Sequence, residues 1–177
     1  MEVIPGRLII RQGDISLAKT QAVVNAANTE LWMGGGVAGA LKRRGGDIVE
    51  REALAQAPIK PGGCVLTRGG DLFADYVLHV ATMEAGEPAS AKSVRTGTMS
   101  ALALARDNSI ESVAFPALGA GIGGISIEEC ARAMLPVISR WLRDNELPAE
   151  VQIMLYSDED RERFLAMWKE LKLEGEV

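Results

Sequence analysis

Two glycine-rich runs, each set between a strand-like and a helix-like segment, constrain this chain most. Gly34-Gly35-Gly36 follows the short apolar stretch Ala22-Val23-Val24, broken at Asn25-Ala26-Ala27-Asn28, and leads into a helix-forming segment, Val37 to Arg43. Gly119-Ala120-Gly121-Ile122-Gly123-Gly124 follows Ser112 to Phe115 and leads to Ser126 and Glu129, a capping-box pair. Strand, glycine loop and helix in repetition belong to α/β folds, in which helices cover both faces of a mostly parallel sheet. Glycines let backbone approach a ligand closely, and the free N–H groups of a helix start point at it. Both runs lie at the carboxyl end of a strand, the edge where open α/β sheets bind ligands.

The remaining elements alternate in the same way. Arg7 to Arg11 reads as a first strand, ended by the turn Gln12-Gly13-Asp14-Ile15, and Val23 to Asn25 as a second. Gly36 to Arg44 and Asp47 to Gln56 read as helical pieces separated by Gly45-Gly46. Cys64 to Thr67, Tyr76 to Val80, Ser112 to Phe115 and Val151 to Tyr156 read as strands. Ser90 caps a helix over Ala91 to Arg106, where Val94, Thr98, Ala101, Leu102 and Ala105 recur at helical spacing. Cys130, Met134, Ile138 and Trp141 form one face of a later helix, which Pro136 should kink or shorten. Ser157 or Asp158 caps a terminal helix faced by Phe164, Trp168 and Leu171, with a frayed tail expected over 173–177. No repeat or linker interrupts the 177 residues, so 1–177 reads as one domain.

Composition excludes several function classes. A net charge of −5 argues against nucleic-acid binding, which depends on Lys and Arg neutralising phosphates. The densest basic cluster, Lys42-Arg43-Arg44, reads as a solvated helix face. No apolar run approaches the roughly 18 residues of a membrane span. MEVIPGRLII lacks a basic segment before an apolar block, so no signal peptide is expected and the cytoplasm is the expected compartment. Cys64, Cys130 and the one histidine, His79, are too scattered for a metal site or a nucleophile–histidine pair. No metal and no cofactor are expected.

The second glycine run formally matches G-x-G-x-x-G, but the acidic residue that should end the next strand, about 20 residues on, is missing. Asp144 has the spacing but sits at a helix end, and Asp158 comes too late. A nicotinamide-dependent oxidoreductase is therefore a remote alternative. The two runs taken together fit better: facing each other, they would grip a diphosphate through backbone N–H groups. Neither 25–41 nor 115–126 contains Lys or Arg, which suits that mode.

In Gly13-Asp14-Ile15, Val24-Asn25-Ala26-Ala27-Asn28, Gly34-Gly35-Gly36-Val37 and Phe115-Pro116-Ala117 with Gly119 to Gly124, the chain resembles the macrodomain family, in order and spacing over nearly its whole length. The resemblance implies a three-layer α/β/α sandwich around a mixed six-stranded sheet, with ADP-ribose in a cleft at its crest. It implies that Asp14 accepts from the adenine amino group, that the Ile15 backbone meets the base, and that Tyr156 stacks on it. Asn28 would bond the distal ribose; Gly35, Gly36 and Val37 would line that ribose and the phosphates; and Gly119, Ala120, Gly121, Ile122, Gly123 and Gly124 would wrap the diphosphate. Asn25 and Gly34, within the same motifs, complete the expected ligand-binding set. Asp14 as a mere turn residue and Tyr156 as a mere edge aromatic stay open.

Two departures bear on activity. Ala38 stands where hydrolytic members often carry an acidic residue, and Gly123 where many carry an aromatic. Binding of ADP-ribose or ADP-ribosyl groups is the expected function, with ADP-ribosylated proteins or related nucleotide metabolites as partners. An ADP-ribosyl-protein hydrolase or ADP-ribose-1″-phosphate phosphatase on the same fold, with Asn28 the best catalytic candidate, is the alternative.

Overall fold

The computed structural model describes residues 1–171; the expected frayed tail lies outside the described residues. A seven-stranded mixed sheet runs in the order β1-β2-β7-β6-β3-β5-β4. Its strands are β1 (Glu2–Ile4), β2 (Leu8–Gln12), β3 (Ala22–Asn28), β4 (Cys64–Arg68), β5 (Tyr76–Met83), β6 (Ser112–Phe115) and β7 (Glu150–Leu155). The five inner strands are mutually parallel, while β1 and β4 pair antiparallel at the two edges. The helices are α1 (Gly36–Gly45), α2 (Asp47–Leu54), α3 (Ala91–Asp107), α4 (Ile127–Asp144) and α5 (Asp158–Glu170).

Alternation along the strands feeds two cores. Ala22 and Val24 of β3, Leu78 and Val80 of β5, Val113 and Phe115 of β6, and Val151, Ile153 and Leu155 of β7 pack toward α3, α4 and α5. Val23, Val77, Ala114 and Met154 face the other way, onto Leu41 and Val49 of α1 and α2. Burial of both strand faces is the α/β/α arrangement the element order implies.

Among the described residues the expected six strands are seven. The extra one, β1, is three residues long, too short to show a period, and it is folded back on β2 by the Pro5-Gly6 turn, with Arg7 N–H bonding Ile4 C=O at 3.0 Å. Strand β3 also runs further than Val23 to Asn25: pairing with β5 carries it through Asn28, so the Asn-Ala-Ala-Asn segment is strand rather than loop. Pro136 neither shortens nor ends α4, because it sits on the exposed face, where its missing N–H leaves a carbonyl to water. Ser90, Ser126 and Ser157 cap α3, α4 and α5.

Arg7 holds the α4–β7 connection in place. Its guanidinium donates to the carbonyls of Leu142 (2.8 Å), Asn145 (3.1 Å), Glu146 (3.2 Å), Pro148 (3.2 Å) and Ala149 (2.9 Å). A lysine carries the charge but not the planar fork. Arg7→Ala is expected to cost about 2–3 kcal/mol in urea unfolding, the scale of hydrogen bonds to a charged group, with Arg7→Lys recovering only part. An Arg7→Ala midpoint equal to the parent's would show the clasp to be redundant.

Candidate functional site

All five parallel strands end at one sheet edge, where the loops leaving them enclose two adjoining cavities. The larger, about 520 Å³, lies over the ends of β2, β7 and β6, bordered by Asp14, Arg43, Tyr156 and Asp160. The smaller, about 270 Å³, lies over the ends of β3 and β5, bordered by Asn28, Trp32, Met83 and Ile122. Gly36, Val37, Ala117, Ala120 and Gly121 line both, so the two cavities form one elongated cleft with a shared waist.

Unpaired backbone donors line the waist at Gly36, Val37 and Gly121 and continue along the smaller cavity at Ala38, Ile122 and Gly123. Among the described residues, nothing accepts from the N–H groups of Gly36, Val37 and Ala38 at the start of α1, nor from those of Gly121, Ile122 and Gly123 in the second run. Gly36 and Gly121 hold φ of +56° and +66°, the left-handed region open to glycine at little cost. The runs meet where the Ile122 side chain lies over Gly35 and Gly36: a Cβ on Gly36 would stand 3.2 Å from Ile122 Cδ1. Free N–H groups from both sides, with the positive end of α1 behind one of them, suit a dianionic group.

At the larger end, Asp14 caps a single 3-10 turn, Ile15–Leu17, its Oδ1 accepting from Ser16 N–H (2.9 Å) and Ser16 Oγ (2.8 Å). Among the described residues its Oδ2 and the Ile15 N–H have no partner, so one acceptor and one donor stand side by side at the cavity. Tyr156 is 84% exposed, with its carbonyl held by Gln12 Nε2 at 2.9 Å. At the smaller end, Asn28 Oδ1 accepts from Glu30 N–H (2.9 Å), and its Nδ2 faces the Trp32 carbonyl at 3.5 Å.

Two expected site residues, Asn25 and Gly124, border neither cavity. Asn25 is fully buried. Because β3 continues past it, Asn25 sits opposite His79 on β5, and its Nδ2 lies 3.1 Å from His79 Nδ1. His79 Nε2 in turn lies 2.9 Å from Thr67 Oγ1 on β4. If Asn25 Nδ2 donates to Nδ1, Nε2 carries the ring proton and donates to Thr67. Burial pushes the imidazole pKa down to about 4. Of the other expected residues, Gly124 alone borders neither cavity. It holds φ +78° and closes the second run, donating to Gly121 C=O at 3.0 Å.

Sequence reasoning missed Trp32, Arg43 and Glu50. The Lys42-Arg43-Arg44 cluster is not a uniform solvated face. Lys42 Nζ pairs with Glu50 Oε2 at 2.5 Å, Arg44 Nε donates to Ser16 Oγ at 3.3 Å, and Arg43 borders the larger cavity. The sequence gives no cue for Arg43, since only in the folded helix does Gly39, one turn before it, show close packing, a Cβ there standing 3.1 Å from Arg43 Nη1. Glu50 also accepts from Met33 N–H at 2.6 Å, tying the approach to the first glycine run onto α2. The Lys42 hydrogen bond holds the Glu50 carboxyl below its usual range.

Charge is segregated along the cleft. Asp14, Arg43 and Asp160 border the larger cavity, whereas no ionisable side chain borders the smaller. Ala38 lies on the smaller cavity, 7% exposed. Among the described residues, no three His, Cys, Asp or Glu side chains cluster closely enough to hold a metal ion, and no helix is long and apolar enough to cross a membrane.

Comparison with known proteins adds the following. A family model described as Macro domain matches residues 24–134. An uncharacterised protein of Aeropyrum pernix is 47% identical over 71% of this chain and 67% of its own length. An uncharacterised Mycobacterium tuberculosis protein is 40% identical over 75% of this chain, a match that spans only 37% of that longer protein. Among solved structures, a mutant Oceanobacillus iheyensis macrodomain with ADPR is 25% identical at a TM-score of 0.86, with 96% of each chain covered. A Trypanosoma brucei macrodomain in complex with ADP-ribose is 27% identical at a TM-score of 0.83, covering 92% of this chain and 69% of that one.

Proposed function

The chain belongs to the macrodomain family, and on that premise we propose that its cleft binds ADP-ribose, free or attached to a protein. The observation that carries this reading is that residues of both glycine runs with unpaired N–H groups border the cleft where a larger polar cavity joins a smaller neutral one. A diphosphate fits the waist. The base fits the larger cavity, with Asp14 Oδ2 accepting from its amino group, Ile15 N–H donating to a ring nitrogen, and Tyr156 closing over it. The terminal ribose fits the smaller cavity beside Asn28. Calorimetry with ADP-ribose tests this, and no heat at high-micromolar ligand refutes it.

Asp14→Ala is expected to weaken ADP-ribose by about 1.5–3 kcal/mol, the value of a charge-assisted hydrogen bond, or roughly tenfold to a hundredfold. Asp14→Asn keeps an acceptor for Ser16 while removing the charge, and should lose most of the same affinity. Equal affinities for parent and Asp14→Ala would leave Asp14 a turn residue only.

The cleft reads as a binding module. With Ala38 on a cavity that no ionisable side chain borders, this chain supplies no general base there, help usually worth about 10²–10⁴-fold. Release of ADP-ribose from a protein mono-ADP-ribosylated on acidic side chains is expected to stay at the rate without protein, as is phosphate release from ADP-ribose-1″-phosphate. Turnover of either would assign hydrolysis to Asn28 and the substrate's own phosphate. The nicotinamide-dependent alternative finds no support at β7, which is followed by Tyr156 and Ser157 rather than by an acidic ribose partner.

A further inference from the structure

Leu31 holds φ +60°, a left-handed conformation that a bulky side chain resists and that persists only where its surroundings over-determine it. Its side chain is fully buried in a small core with Ala27 and Ala53. The left-handed step sends Leu31 inward and leaves Trp32 outside, 50% exposed on the border of the smaller cavity. The chain fixes that placement from both sides. Asn28 Nδ2 approaches the Trp32 carbonyl, and Glu50, held by Lys42, accepts from the Met33 N–H that follows. The indole lies against Gly34, where a Cβ would stand 2.3 Å from a ring carbon, so only glycine leaves room for it. Across the cavity Gly123 contributes no side chain. A braced, half-exposed tryptophan that follows a left-handed leucine at one end of the cleft mirrors exposed Tyr156 at the other.

We propose that Trp32 determines specificity for the terminal pentose, laying its indole face over the C–H face of the sugar and so separating ADP-ribose from ADP. The assignment of the two ends rests on the ADP-ribose reading above. The partly free Asp14 carboxylate marks the larger cavity for the base, and the smaller cavity, bordered by apolar and amide groups with no cationic side chain, suits a neutral ring.

The chain carries its own reporter, because Trp141 and Trp168 are 8% and 1% exposed and Trp32 is the one tryptophan open to ligand. Fluorescence titration with ADP-ribose and with ADP, paired with calorimetry on the parent, W32A and W32F, tests the proposal. ADP-ribose should change the parent's emission and ADP should leave it nearly unchanged. W32A should lose about tenfold in ADP-ribose affinity and nothing for ADP, while W32F should keep most of the affinity. Equal loss for both ligands would make Trp32 a prop for the glycine run, and no loss for either would make it a bystander; each overturns the proposal. If W32A does not fold, W32F decides: an ADP-ribose-dependent emission change surviving in W32F overturns the assignment, and its disappearance supports it. A parent that binds ADP but gains nothing from the ribose sinks the proposal and leaves the cleft assignment standing. A parent that binds neither ligand removes both.

Discussion

A Gly121→Glu chain is expected to bind ADP-ribose at least about a hundredfold more weakly than the parent, since like charges brought together in a binding site cost several kcal/mol. Gly121 stands at the waist, bordering both cavities, with a free N–H and open space where a side chain would project. A carboxylate there would meet the proposed diphosphate directly. Its φ of +66° adds a backbone cost of about 1–2 kcal/mol to folding. Gly121→Ala supplies the control, carrying the same backbone cost without the charge, and should keep most of the affinity. Calorimetry on both variants, beside their urea midpoints, separates the two effects. Unimpaired binding by Gly121→Glu would mean that the diphosphate does not pass the second glycine run.

Acid should unfold this protein through His79. The imidazole is fully buried between Asn25 and Thr67, and burial lowers its pKa from 6.5 to about 4. Above pH 6.5 the ring is neutral in the folded and unfolded chains alike. As pH falls toward 4, the unfolded chain takes up a proton that the folded chain refuses, so this group's contribution is present above 6.5 and is lost on the way down. The loss amounts to roughly 3 kcal/mol over that window, at about 1.4 kcal/mol per pH unit. Urea unfolding followed from pH 7 to pH 4 should show this slope in the parent and lack it in His79→Gln, which keeps polar atoms on the same strand. Identical pH profiles for the two would place the acid sensitivity elsewhere.

Much of this architecture is legible in the chain because local signals agree with the fold. The serine caps, the Gly45-Gly46 break and the strand–glycine–helix junctions each act over a few residues, and the structure places each near where it was read. What escapes detection depends on distant partners. Strand β1 exists because β2 offers it an edge, and pairing with β5 carries β3 on to Asn28 and leaves Asn25, read as a ligand residue, buried against His79. Arg43 and Trp32 reach the cleft through the absence of side chains at Gly39 and Gly34, a cue that means something only once helix and loop are folded. The cavity proposed for the base also reaches beyond the family match: residues 24–134 contain both glycine runs but neither Asp14 nor Tyr156.

The position of β7 has a consequence for the birth of the molecule on the ribosome. This strand, the last in chain order among the described residues, is not added at an edge; it inserts between β2 and β6, both made before it, with Leu8 paired to Val151 and Ser112 to Glu150. Until it arrives, β2 and β6 lack their common neighbour and Asp14 has no Tyr156 beside it. A nascent chain halted after α4 would hold both glycine runs and still lack Met154, Leu155, Tyr156 and Asp160 from the border of the larger cavity. A ligand that needs both cavities would thus meet an incomplete site in the partial chain. Such long-range parallel closure is slow, because loop entropy is lost before the contacts that repay it form, and competence should appear late and in one step.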